Sequence, residues 1–221
     1  MMEYQQNWTI IMDYWPLFLD GIGTTLQISG LALLFSIPIG LVLGLCRISK
    51  KRSISILAGA YIEVIRGIPL LVLLLWVFFV LGKYLNLGPY WSAVSTMAAF
   101  SGAFIAEIVR AGIQSIPKEQ MEAARSLGMS YFQAMQFVIL PQALRKMLPP
   151  LASQYIILIK DSSLVSVISV VDLTLVAKNV VATSFRSIEV WTFVAFLYFL
   201  ISFILSRIVR IIEKKYSKMG D

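Results

Sequence analysis

The sequence contains no histidine, one cysteine (Cys46) and little charge, with only 14% of its 221 residues Asp, Glu, Lys or Arg. The missing histidine removes Ser/His and Cys/His nucleophilic catalysis and any HExxH zinc site. The lone cysteine removes CxxC redox chemistry and every internal disulfide. A GxxxxGK[ST] phosphate loop is absent too, since the one Gly-Lys pair, Gly82 and Lys83, runs into Tyr84. No repeat of 20 to 50 residues is present, which excludes solenoids and propellers. An enzyme acting alone is therefore not expected.

What fills the chain is apolar. Hydrophobic residues make up 58% and mean hydropathy is +0.81, a composition that places the chain in a bilayer. About 20 helical residues cross about 30 Å of hydrocarbon. Gly21 to Cys46 and Tyr84 to Ala106 are uncharged runs of that length. Residues 54–82 and 147–171 are also long enough, although the first carries Glu63 and Arg66 and the second Lys160 and Asp161. The stretch 190–212 is interrupted by Arg207 and Arg210, which can snorkel to the interface. The expectation is an all-α integral membrane protein of five transmembrane helices in one domain over 1–221.

Net charge is +7, and its distribution sets the topology. Fourteen of the nineteen cations fall after spans 1, 3 and 5: Arg47 to Arg52, Arg110 to Lys146, and Arg207 to Lys218. The other loops hold only Lys83, Lys178 and Arg186. By the positive-inside rule the N-terminus is outside and the C-terminus cytoplasmic. The basic balance thus records orientation and excludes nucleic acid as a partner. The first twenty residues, with Glu3, Asp13, Trp8, Tyr14 and Trp15, lack a signal peptide's basic start, and read as an uncleaved interfacial helix or a frayed tail.

Residues 115–146 form the one sizeable cytoplasmic segment. Pro117 and Glu119 suit a first helical turn, Met121, Ala124 and Leu127 continue it, and Gly128 suits a left-handed end. Ser130 and Gln133 then form a capping-box pattern, and the second helix is expected to end at Pro141. Such a corner is either a connecting hairpin or a knob shown to a partner.

The run Glu122, Ala123, Ala124, three residues, Gly128, nine residues, Val138, one residue, Leu140, Pro141 resembles the EAA loop of importer-type ABC transporter permeases, with Val138 in place of isoleucine. Glu63 to Leu71 (ExxRGxPLL), Ala106 to Gly112 (AExxRxG) and Lys160 to Leu164 (KDSSL) are similar to the polar amino-acid branch of that family, and the likeness spans about residues 15–215. The resemblance implies a type I importer fold and coupling to an ATPase through Glu122, Ala123, Ala124, Gly128, Met129, Ser130, Leu140 and Pro141. It also implies a second permease copy or close homologue, two ATPase subunits and an extracytoplasmic solute-binding protein. ATP and Mg belong to the ATPase, with no cofactor in this chain. An ion-coupled carrier or channel is the alternative, and has no use for an EAA loop.

Charges within the spans are the candidate substrate pathway: Glu63, Arg66, Lys160 and Asp161, with Ser162 and Ser163 beside the last. Each ion costs at least about 2.5 kcal/mol at mid-membrane unless paired or wet. Glu63 with Arg66 and Glu107 with Arg110 are three apart and suited to neutralise one another. Lys160 and Asp161 point about 100° apart, so they need other partners, either a substrate or a neighbouring helix. Glu63, Glu107 and Asp161 against Arg66 and Lys160 lean towards a basic amino acid such as arginine, lysine or histidine. Gly40 and Gly44 make a GxxxG pair that admits a second helix closely. Gly67 and Pro69, and Pro149 with Pro150, interrupt spans 2 and 4 and are candidate pathway walls.

Overall fold

The computed structural model describes residues 6–217, with side chains to Ile211, so Glu3 and Lys218 lie outside the described residues, as do the side chains of Lys214 and Lys215. Among the described residues every regular element is a helix. In chain order these are α1 (Thr9–Asp13), α2 (Trp15–Arg47), α3 (Arg52–Gly67), α4 (Leu70–Leu85), α5 (Pro89–Gln114), α6 (Lys118–Ser126), α7 (Tyr131–Ile168), α8 (Leu173–Ser184) and α9 (Ser187–Ser217).

Four of them, α2, α5, α7 and α9, are long and apolar enough to span a membrane, and α3 with α4 makes a fifth as a bent pair. The span expected over 54–82 is therefore broken. Pro69 disfavours the helical conformation in the residue before it, and Ile68 is extended at φ −98° and ψ 130°.

Pro141 does not end its helix, contrary to expectation. The turn Met135–Ile139 just before it widens to a π-helix, and α7 then runs on from Leu140 through Pro149 and Pro150 to Asp161. A wider turn leaves room for the proline ring and for the hydrogen bond its nitrogen cannot donate. From Ser162 to Ile168 the helix tightens to 3-10 geometry.

Packing gathers the single expected domain into two units. One takes in the chain to Ala32 with Leu70–Met97 and Ile156–Leu205; the other takes in Leu33–Pro69, Ala98–Tyr155 and the chain from Ser206. The first is centred on Phe18, Leu173, Val176, Val190 and Val194. The second is centred on Ile105, Val109, Ile113, Ile139 and Met147.

Glycine decides the second core. A Cβ on Gly40 would strike Ile105, one on Gly44 would meet the Ala106 carbonyl and Val109, and one on Gly112 would strike Met147. The GxxxG pair thus admits α5 of the same chain.

Candidate functional site

The turn between α6 and α7 is specified residue by residue. Pro117, at φ −54° and ψ 139°, precedes the first turn of α6, where Glu119 meets the positive end of the helix dipole. At the other end Gly128 adopts φ 84°, its N–H donates to the Arg125 carbonyl at 3.0 Å, and the Met129 N–H donates to the Ala124 carbonyl at 3.2 Å. This pairing is a Schellman cap, which needs a left-handed residue at Gly128. Two residues later the capping box forms: the Gln133 N–H donates to Ser130 Oγ at 3.2 Å, and the Ser130 N–H to Gln133 Oε1 at 2.8 Å.

The corner is anchored on one side and bare on the other. Ala124 and Ala134 are buried, Gln142 reaches Gln120, and Lys146 Nζ donates to the Ser115 carbonyl at 3.0 Å. Glu122 and Ala123 are exposed, and Leu127 and Phe132 flank Gly128 at 83% and 73% exposure. Large apolar side chains held so far from the core by a rigid backbone form a surface suited to another protein. Leu140 and Pro141 lie further along, where α7 resumes α-helical geometry.

The charges of the second unit meet differently from the i,i+3 expectation. Glu63 pairs with Arg47 at 3.7 Å, not with Arg66, and is 77% exposed. Arg66 instead turns to Glu107 at 3.9 Å and lies over the Phe104 ring at 4.9 Å. Glu107 also holds Arg110 at 2.8 Å, as expected, and Arg110 continues to Gln114 at 2.7 Å. The AExxRxG run is therefore an ion-pair hub, with Gly112 as the close approach beside it. Two guanidiniums on one carboxylate satisfy the demand that ions inside a span be partnered.

In the first unit Asp161 lies half-buried where α7 tightens, and Ser163 is likewise half-buried. Ser162 is fully buried and spends its hydroxyl on the Ile159 carbonyl at 2.7 Å. Lys160 is exposed and has no ion-pair partner among the described residues. Within KDSSL, Lys160 is thus accessible and Asp161 and Ser163 partly so, while Ser162 and the Ser166 hydroxyl, bonded to the Ser163 carbonyl at 2.9 Å, shape the backbone.

Two carboxylates escaped sequence reasoning. Asp172 is fully buried, caps α8 by accepting from the Leu175 N–H at 2.8 Å, and accepts from the Tyr198 hydroxyl at 3.3 Å. Burial pushes its pKa up, against the pull of these hydrogen bonds. Tyr198 also meets Thr174 at 2.9 Å, and the Leu173 N–H donates to Thr25 Oγ1 at 3.2 Å. Glu189 is buried near Arg186, at 3.8 Å, and accepts from the Asn7 N–H. The signal for Asp172 was present as an N-cap residue ahead of an apolar helical run.

The described residues thus hold helices long and apolar enough to cross a membrane, a set of ion pairs joining Arg47 to Glu63 and Arg66 and Arg110 to Glu107, and an exposed corner at Gly128. The chain belongs to the family of binding-protein-dependent transport system inner membrane components, whose model matches residues 36–218, and within it to the polar amino-acid ABC permeases. It is 41% identical over 214 residues to the glutamine transport system permease protein of Escherichia coli (strain K12), covering 96% of this chain and 98% of that one. To the glutamate/aspartate import permease protein of Escherichia coli O157:H7 it is 37% identical over 221 residues, covering 96% and 99%. Among solved structures, a crystal structure of an amino acid ABC transporter with histidines superposes with a TM-score of 0.91 at 38% identity, covering 96% of this chain and all of that one. The fold is that of a type I importer permease, and the chain is a multi-pass bacterial membrane component, a transport subunit rather than an enzyme.

Proposed function

We propose that this chain forms one half of the pathway of an ATP-driven importer for polar amino acids, and that the corner around Gly128 receives the stroke of a separate ATPase. The observation that carries this is the Schellman cap running into a capping box beneath exposed Leu127 and Phe132. A knob transmits motion only if it is stiffer than what it moves, and here both helix ends at the corner are hydrogen-bonded.

The N-terminus lies outside and the C-terminus in the cytoplasm, which puts this corner on the nucleotide side. A second permease copy or close homologue completes the pathway, two ATPase subunits sit beneath, and a solute-binding protein delivers from outside. The chain's own task is to bind solute in one state and release it in the other, since a ligand held equally by both shifts nothing.

The proposed pathway residues are Glu63, Arg66, Lys160, Asp161, Ser162 and Ser163. Asp161 and Ser163 offer acceptors to the ammonium of any amino acid, while Ser162 sets the backbone turn. The lean to a basic side chain rested on a slight excess of carboxylates, Glu63, Glu107 and Asp161 against Arg66 and Lys160. With Glu63 and Glu107 in ion pairs, Asp161 alone supports it. Relatives named for glutamine and for glutamate/aspartate support the wider class of polar side chains.

The test is reconstitution with the ATPase. Glu122→Lys and Gly128→Asp are expected to leave the chain inserted while weakening ATPase association and uptake, and Asp161→Asn to lower uptake with association intact. Wild-type uptake in the corner variants would refute the coupling role. Wild-type uptake in Asp161→Asn, against glutamine, glutamate, histidine and arginine in turn, would return KDSSL to packing.

A further inference from the structure

A groove on the second unit is, apart from Leu140 and Pro141 on its wall, unused by this reading. It forms an apolar cavity of about 490 Å³ between α2, α5 and α7, and a second cavity of about 270 Å³ lies between the end of α2 with residues 48–50 and the first turns of α7. On α2 the wall is Ile37, Leu41 and Leu45, four residues apart and hence on one face of the helix, with Ile48 in the turn that follows. On α7 it is Leu151, Met147, Leu144, Leu140 and Gln136, again one face, running in the opposite sense. Gly40 and Gly44 bring α5 close enough for Ile105 and Val109 to form the floor.

The two ends differ in chemistry. The deep end is hydrocarbon. The other end is lined by Ser49, Lys50 and Tyr131, with Lys50 Nζ 5.2 Å from the centre of the Tyr131 ring. Lys51 and Arg52 follow, both exposed, and no carboxylate lines either cavity.

We propose that this groove holds an anionic phospholipid, one acyl chain lying against Ile37 to Ile48 and the phosphate at Lys50. Three features select that occupant. From Ile37 to its end at Arg47 α2 rises about 15 Å, matching the roughly 15 Å of hydrocarbon in one leaflet. Polarity changes from apolar to cationic along the groove in the same order as from lipid tail to headgroup. A second copy is disfavoured, because a two-fold contact centred here would set Lys50, Lys51 and Arg52 of both copies near one another with no carboxylate between.

The site is independent of which solute is carried, so its test needs no transport. The complex, stripped in detergent, is incubated with phosphatidylglycerol or with phosphatidylcholine of the same acyl chains, and bound lipid is counted by native mass spectrometry. Phosphatidylglycerol is expected to be retained preferentially. Lys50→Gln should cut that preference about fivefold, the factor one basic residue contributes at a membrane surface. Leu144→Trp, which fills the groove from an exposed position, should reduce retention of both lipids. Equal retention of the two lipids overturns the proposal, as does the absence of any effect in both variants. So does cross-linking of Leu41→Cys to a second copy in place of lipid retention.

Discussion

Replacing Gly44 by alanine tests how closely α2 and α5 pack, because the same helix carries its own control. A Cβ on Gly44 would lie 2.8 Å from the Ala106 carbonyl oxygen and 2.8 Å from the Val109 side chain. One of these is backbone, so α5 itself must shift. A Cβ on Gly23 of the same helix meets nothing within 4 Å. Both substitutions gain the same helix propensity, about 1 kcal/mol, so the difference between them isolates the clash. Forcing a methyl into a packed contact costs about 1–3 kcal/mol, or roughly 5- to 150-fold in the unfolding equilibrium. Unfolding of the purified variants by SDS titration in mixed micelles reads that difference. Equal stabilities for Gly44→Ala and Gly23→Ala would refute the close approach on which the second core is built.

Other substitutions separate the partnered groups from the bystanders. Glu107→Gln strands Arg66 and Arg110, and is expected to destabilise by about 1 kcal/mol, the upper end for a screened pair, while Glu63→Gln at an exposed position changes little; the same titration compares them. Tyr198→Phe removes one hydrogen bond from buried Asp172 and one from the Thr174 hydroxyl, for a loss of about 1 kcal/mol, against no change for Tyr84→Phe at an exposed site. Gly128→Ala forces a side chain into φ 84° and is expected to lose about 1–2 kcal/mol locally, seen as faster hydrogen exchange at the Gly128 and Met129 amides.

Much of the corner around Gly128 was legible in the sequence because its signals are local. Gly128 needed no neighbour to specify a left-handed turn, and Ser130 with Gln133 specified its own cap. The long spans were legible for the same reason, since hydrophobic length is a property of one segment. Pro141 was misread because a π turn, which carries no sequence signature here, absorbs the ring and lets α7 continue. Glu63 was misread because spacing states which residues can meet, while the fold states which do. Arg47 reached Glu63 and Glu107 reached Arg66, both across the chain. Asp172 and Glu189 were missed because their burial is tertiary: nothing within a few residues of either shows that Tyr198 or Asn7 will close over it.

The most direct test of the whole reading is uptake against a gradient in proteoliposomes holding this permease and its partner copy, with and without the ATPase subunits. Uphill accumulation of a polar amino acid is predicted only when ATPase and ATP are both present, and it should fall when the Gly128 corner is altered. Accumulation driven by an ion gradient with the ATPase omitted would contradict it.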